Sequence, residues 1–174
     1  MMGAMHPPTP HPFRLALILA ALATLGPFSI DTFLPAMPAI GQALHAPPLA
    51  VQQALTVYLL GYGVMMLWHG AISDAVGRKP VIVISTAVFT LASVGCAFAQ
   101  TLPQLLVFRA LQGISGGAGL IVGRAIIRDC FDGAAAQRLM SHVTMLFSLS
   151  PAIAPVVGGW LYGAFGWHAI FVFM

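Results

Sequence analysis

The chain contains no glutamate, and its four acids and seven lysines and arginines leave only 6% of its 174 residues charged. A soluble domain carries about 25% charged residues, so an ordinary water-soluble fold is excluded. The basic excess is also thin. No basic run exceeds two residues, as at Arg78-Lys79, which reads as loop charge and argues against a nucleic-acid partner. Cysteine is scarce: Cys96 falls near one end of an expected helix and Cys130 in a loop on the opposite side of a membrane. The two cannot bridge, so there is no disulfide framework. No metal or other cofactor is anticipated.

What the chain has is apolar length. Hydrophobic residues make up 59% of it and the mean hydropathy is +0.94. Ala50 to Ile72 runs 23 residues and Val81 to Ala99 another 19 without Asp, Glu, Lys or Arg. A helix rises about 1.5 Å per residue, so about 20 apolar residues match a hydrocarbon core of about 30 Å. The fold class is therefore an all-α integral membrane protein. Spans are expected at about 13–37, 50–72, 81–99, 102–127 and 139–165, with an incomplete sixth at 168–174. Residues 1–12, rich in Pro and His, read as a disordered cytoplasmic tail ahead of a transmembrane bundle over 13–174. The apolar run after Arg14 looks like a signal peptide, but four further spans favour a retained first helix.

The loops alternate in charge. Arg14, Arg78 with Lys79, and Arg128 with Arg138 fall on one side, whereas the other side has His45 and no Lys or Arg. The positive-inside rule places the amino terminus and the basic turns in the cytoplasm.

Two ionisable residues interrupt the spans. Asp31 lies in the first, in Ser29-Ile30-Asp31-Thr32-Phe33-Leu34-Pro35, and Arg109 in the fourth, one turn before Gln112. Such groups are costly in a membrane, face a protein interior or aqueous cavity, and tend to pair. Each is about six residues from the outer end of its span, so both lie about 9 Å deep and are expected to pair. The pair reads as a proton-binding carboxylate tuned by a cation, or as a fixed ion pair holding two helices together. Arg124 and Arg128, one turn apart, either snorkel to headgroups or meet Asp129 or Asp132.

Glycine and proline mark two helices. In the fourth span Gly113/Gly117 and Gly119/Gly123 fit small-xxx-small spacing for close packing. The fifth carries Pro151 and Pro155, then Gly158, Gly159 and Gly163, a pattern that bends and thins a helix, whether to flex or only to pack. Tyr58 and Tyr62 share a face of the second span, and Met140, Met145 and Phe147 lie on the fifth. These could line an adaptable apolar pocket or serve as ordinary core.

Together these residues resemble the major facilitator superfamily, and within it the drug:proton antiporters of the bicyclomycin-resistance (Bcr/CflA) branch. Gly70-Ala71-Ile72-Ser73-Asp74-Ala75-Val76-Gly77-Arg78-Lys79-Pro80 resembles the loop motif between helices two and three, departing at Ala75 where a basic residue is usual. Arg109-Ala110-Leu111-Gln112-Gly113 resembles the helix-four motif associated with proton transfer. Ala154-Pro155-Val156-Val157-Gly158-Gly159 is similar to the antiporter motif of helix five, with Ala154 for its usual glycine. Asp31 to Pro38 and Gly123 to Asp129 resemble the branch's first-helix and helix-four-exit segments.

The resemblance covers the chain from about Arg14 onward. It implies the N-terminal six-helix bundle of a twelve-helix inner-membrane exporter, its sixth helix truncated here, in which two halves rock about a cavity and each half holds a 3+3 inverted repeat. Asp31 is then the proton and cationic-substrate site and Arg109 its modulator, with Gln112 and Tyr58 as supporting cavity polar groups. Gly70, Asp74, Gly77 and Arg78 form the intracellular gate, and Pro151, Pro155, Gly158 and Gly159 the helix-five motif. The implied partners are a small apolar or cationic drug-like substrate, the lipid bilayer, and a missing C-terminal six-helix half. The proton gradient is the energy source. As 174 residues the chain is not expected to transport alone, and self-association of two copies is the weaker way to complete it.

Three rivals remain. A metabolite or nutrient carrier keeps the fold and changes the cargo, and a truncated fragment binds other helices without transporting. An intramembrane serine protease would use Ser115 in Gly113-Ile114-Ser115-Gly116 with His168 as base. Ser115 is expected about 18 Å deep and His168 at the surface, too far apart for the contact of about 3 Å that a nucleophile and base require. His142, near the inner end of the fifth span, fares no better. The chain is therefore read as a transporter and not an enzyme.

Overall fold

Gly77 alone makes one of the reversals of the bundle. In a computed structural model, which describes residues 12–174, helix α3 (Pro48–Val76) and helix α4 (Arg78–Ala97) are separated by this one residue, at φ 98° and ψ 154°. That backbone region is essentially open only to glycine. Apart from Pro12, the anticipated tail lies outside the described residues.

The first span begins as α1 (Pro12–Phe33) and continues through a 3-10 turn, Leu34–Ala36, into α2 (Met37–Ala43). It runs past the anticipated end at Met37 because Pro35 and Pro38 each sit in the first turn of a new element, where a missing N–H costs nothing. The helix stops in a Schellman arrangement. The Ala46 N–H donates to the Gly41 carbonyl at 2.9 Å, with His45 at φ 50°. The fourth span is α5 (Leu102–Gly116) followed by α6 (Ala118–Cys130), divided at Gly117 but still in right-handed helical conformation there. The long α7 (Gly133–Phe165) carries Pro151 and Pro155 without a break, and α8 (His168–Phe173) is a short final helix. Cys130 closes α6 rather than lying in the loop.

The five long segments are each apolar enough to cross a bilayer, and the α5–α6 span is the most enclosed: 61% of its most apolar stretch is buried, against 11% for α3. The chief packings are α3 on α5 and α1 on α7, with α4 against α5, α6 and α8, and α1 against α6. Exchanging spans one, two and three for four, five and six turns the first–fifth contact into the fourth–second contact and leaves third–sixth unchanged. That is the pairing of an inverted 3+3 repeat.

Glycines explain the closeness of the crossings. A Cβ at Gly113 would strike the Tyr58 carbonyl, one at Gly119 the Leu22 carbonyl, and one at Gly158 the Thr32 carbonyl. Small residues bring backbones together in this way where lipid offers no hydrophobic force between helices. Apolar side chains such as Leu60, Leu67 and Trp68 on α3 and Val156 and Trp160 on α7 stay exposed on the described bundle. Such a surface suits hydrocarbon or a further helix, not water.

Candidate functional site

Arg109 is fully buried at the crossing of α5 with α3 and α1. One nitrogen, Nη1, donates to Ser29 Oγ and to Gln112 Oε1, both at 3.0 Å. The rings of Phe33 and Tyr58 each lie 4.4 Å from the guanidinium carbon, and that of Phe171 lies at 6.0 Å. Nε and Nη2 have no partner among the described residues. The charge is thus held by aromatic faces and neutral oxygens, without a carboxylate. Desolvated cation–π contacts are worth about 2 kcal/mol each, which offsets part of the burial cost.

The network extends inward from Gln112. Its Nε2 donates to Ser93 Oγ at 2.7 Å, Ser93 Oγ donates to the Phe89 carbonyl at 2.8 Å, and Cys96 Sγ approaches Gln112 Oε1 at 3.6 Å. Tyr58 is buried, stacks on Tyr62 at 6.1 Å and donates its hydroxyl to the Gly26 carbonyl at 2.8 Å. Arg109, Gln112 and Tyr58 therefore meet in one interior cluster, which also contains Ser29, Phe33, Ser93 and Cys96.

The expected direct pair between Asp31 and Arg109 does not form. Asp31 is half-buried and has no hydrogen bond or ion pair among the described residues. The reason is angular. Each residue turns an α-helix by about 100°, so Ser29 and Asp31 point about 200° apart. With Ser29 on the guanidinium, the carboxylate faces the other way. Depth along a helix does not determine rotation about its axis.

At the basic end, Arg78 fastens three helices. It is salt-bridged to Asp74 one turn earlier, its Nε donates to Asp129 Oδ2 on α6 at 2.8 Å, and its Nη1 donates to Ser73 Oγ at 2.6 Å. Ser73 in turn donates to the Gly70 carbonyl at 2.8 Å. Asp129 thus belongs to Arg78 rather than to Arg124 or Arg128. Ser73 and Asp129 were not anticipated as partners, since nothing local links Arg78 to a carboxylate 51 positions away.

On α7 the motif residues separate. Gly158 is pressed against Thr32 of α1, Gly159 has open space beside its Cα, Pro155 is half-buried and Pro151 exposed. A groove of about 570 Å³ runs between α1 and α7 toward the basic end, lined by Leu17, Phe131, Arg138, His142, Met145 and Leu146 among others. Met145 lines it, whereas Met140 and Phe147 pack against a buried core. Ser115 donates to carbonyls of its own helix, Leu111 at 2.8 Å and Gln112 at 3.2 Å, and no histidine bonds to it among the described residues.

Comparison with known proteins agrees with this architecture. The Major Facilitator Superfamily profile matches residues 17–174. Among similar proteins, an uncharacterised MFS-type transporter, YdgK of Bacillus subtilis, is 38% identical over 90% of this chain and 40% of its own length. The bicyclomycin resistance protein homolog of Haemophilus influenzae is 33% identical over 91% of this chain and 40% of its own. Multidrug resistance protein D of Escherichia coli is 33% identical over 92% and 41%. The chain spans about 40% of the length of these relatives, matching their N-terminal part. With a family match over nearly its whole length, a glycine-sealed six-helix arrangement and a caged arginine on the fourth span, the chain belongs to the major facilitator superfamily of membrane transporters.

Proposed function

We propose that this chain is one side of a proton-coupled exporter of small apolar or cationic compounds, working by alternating access against a second helical bundle that the relatives' greater length supplies. Asp31 is the proton-binding and cation-binding group. The observation that carries this is the division of labour between two charges: Arg109 is caged by aromatic rings and neutral oxygens, while Asp31 is left without a partner among the described residues. An unpaired carboxylate at membrane depth is costly unless it binds a proton, a cation or water in a cavity. Arg109 acts through the rigid network of Ser29, Gln112 and Tyr58 rather than through a direct ion pair.

In this reading, the carboxylate accepts a proton from one side and gives it up when a cationic substrate competes for the site. The Arg78 cluster fastens the basic ends, which lie in the cytoplasm by charge distribution, and opens when the bundles rock apart. Gly158 lets α7 lie tightly on α1 beside the Asp31 segment, so a movement of α7 is felt there. Two relatives bear drug-resistance names, which favours export over metabolite uptake.

Expression of the whole transporter in a drug-sensitive host tests the reading. It should raise tolerance to a cationic drug, and Asp31→Asn should remove that gain with membrane insertion unchanged. An undiminished gain in the Asp31→Asn variant would overturn the role of Asp31.

A further inference from the structure

His69 is an ionisable side chain within the α3 span, 3% exposed, and its ring faces the Met65 backbone one turn earlier without a hydrogen bond of good geometry at Nδ1. It sits where α3 crosses α6. A Cβ placed on Gly117 would lie 3.6 Å from Nδ1, 3.2 Å from Met66 and 3.6 Å from Tyr62, so the imidazole lies directly beside the backbone of Gly117. Buried polar side chains in natural proteins are nearly always hydrogen-bonded, and an exception calls for a reason.

One turn along the same face stands Ser73, whose hydroxyl accepts from Arg78 Nη1 at 2.6 Å and donates to the Gly70 carbonyl at 2.8 Å. Residues four apart on a helix are neighbours. Ser73, one helical turn from His69, ties Arg78 to α3, while Arg78 also holds Asp74 and Asp129.

We propose that His69 is a second intramembrane proton-binding site, whose protonation weakens the Arg78 clasp between α3, α4 and α6 through Ser73. A proton from water adds to the imidazole nitrogen and nothing else is transferred. The cation so formed cannot remain tucked against Gly117, because an unpaired buried charge is strongly disfavoured. It also places positive charge one turn from the oxygen that accepts from Arg78, and the two cations repel. Both effects act in one direction, toward a looser basic end.

Ionisable groups on the surrounding elements do not cancel this. They are Tyr58, Tyr62 and Asp74 on α3 itself, Arg78, Lys79 and Cys96 on α4, Arg109 on α5, and Arg124, Arg128, Asp129 and Cys130 on α6, with none on α2. None forms a salt bridge with His69, and both acids are already engaged by Arg78. The proposal deepens the proton-coupled reading by adding a site that moves the clasp rather than the substrate.

The test is a nitrogen-15 solid-state NMR titration of the full chain in lipid bilayers, with labelled histidine and arginine. The His69 signal is assigned by its loss in His69→Gln. The expected result is that His69 passes from neutral to cationic as the pH is lowered, and that the Arg78 Nε signal shifts with the same midpoint. In Ser73→Ala the histidine step should persist while the Arg78 response is lost. A His69 that stays neutral throughout would overturn the proposal, as would an Arg78 response unchanged in Ser73→Ala or His69→Gln. If His69→Gln fails to fold, His69→Phe gives the same assignment. The titration also reads His69 alone, so a silent His69 leaves the Asp31 reading standing, and failure at Asp31 leaves this one standing.

Discussion

Arg109 carries a permanent charge, so its burial has to be offset by contacts that do not depend on pH. Phe33 and Tyr58 supply them from opposite helices, with Ser29 and Gln112 at one edge. Phe33→Leu keeps an apolar side chain of similar bulk but removes one aromatic face, and it should cost about 2 kcal/mol, read as a lower thermal unfolding temperature in detergent. A change within experimental error would mean that the ring serves only as packing. Two adjacent glycines of α7 give a sharper contrast. Gly158→Val must push the Thr32 backbone away and should cost about 2–3 kcal/mol, whereas Gly159→Ala enters open space and should fall within about 0.5 kcal/mol of wild type. At this scale the sequence was legible in part. Arg109, Gln112 and Gly113 share a helical face at three- and four-residue spacing, and that face is the buried one. The partner of Arg109 was not legible, because depth along α1 does not tell which of Ser29 and Asp31 turns toward it.

Helices and turns follow from the sequence more directly. Charge-free runs gave the spans, and the helices extend beyond them because Ser73, Asp74, Gly133 and Arg138 are polar or flexible without being helix breakers. The α3–α4 turn needs a residue at φ 98°, so Gly77→Ala should cost about 1–3 kcal/mol in thermal unfolding. Normal stability in that variant would show that the turn can relax. Arg78 and Asp129 lie far apart in the chain, and pattern reading had no means of joining them. Their coupling is expected to be non-additive: Arg78→Ala and Asp129→Ala together should disturb protease resistance of the basic end no more than Arg78→Ala alone. Additive losses would mean that the contact between α4 and α6 is incidental.

Over the whole molecule, the first–fifth, second–fourth and third–sixth pairings reproduce the symmetry that the family resemblance implies, and the exposed apolar faces of α3 and α7 suit hydrocarbon or a further helix. Hydropathy revealed the class, and short motifs on successive helices revealed the family. Handedness of packing and the rotation of each helix emerged only from the folded bundle. Orientation is testable with the native thiols. Cys130 is exposed at the basic end and Cys96 is buried, so a membrane-impermeant maleimide should label Cys130 in inside-out vesicles and not in intact cells. Labelling of intact cells at Cys130 would reverse the topology. The central claim, that Asp31 exchanges a proton for a cationic compound, is tested most directly by proton release on adding drug to the whole transporter in weakly buffered detergent. Wild-type protein should release protons on drug binding and Asp31→Asn should release none, whereas equal release from both would contradict the claim.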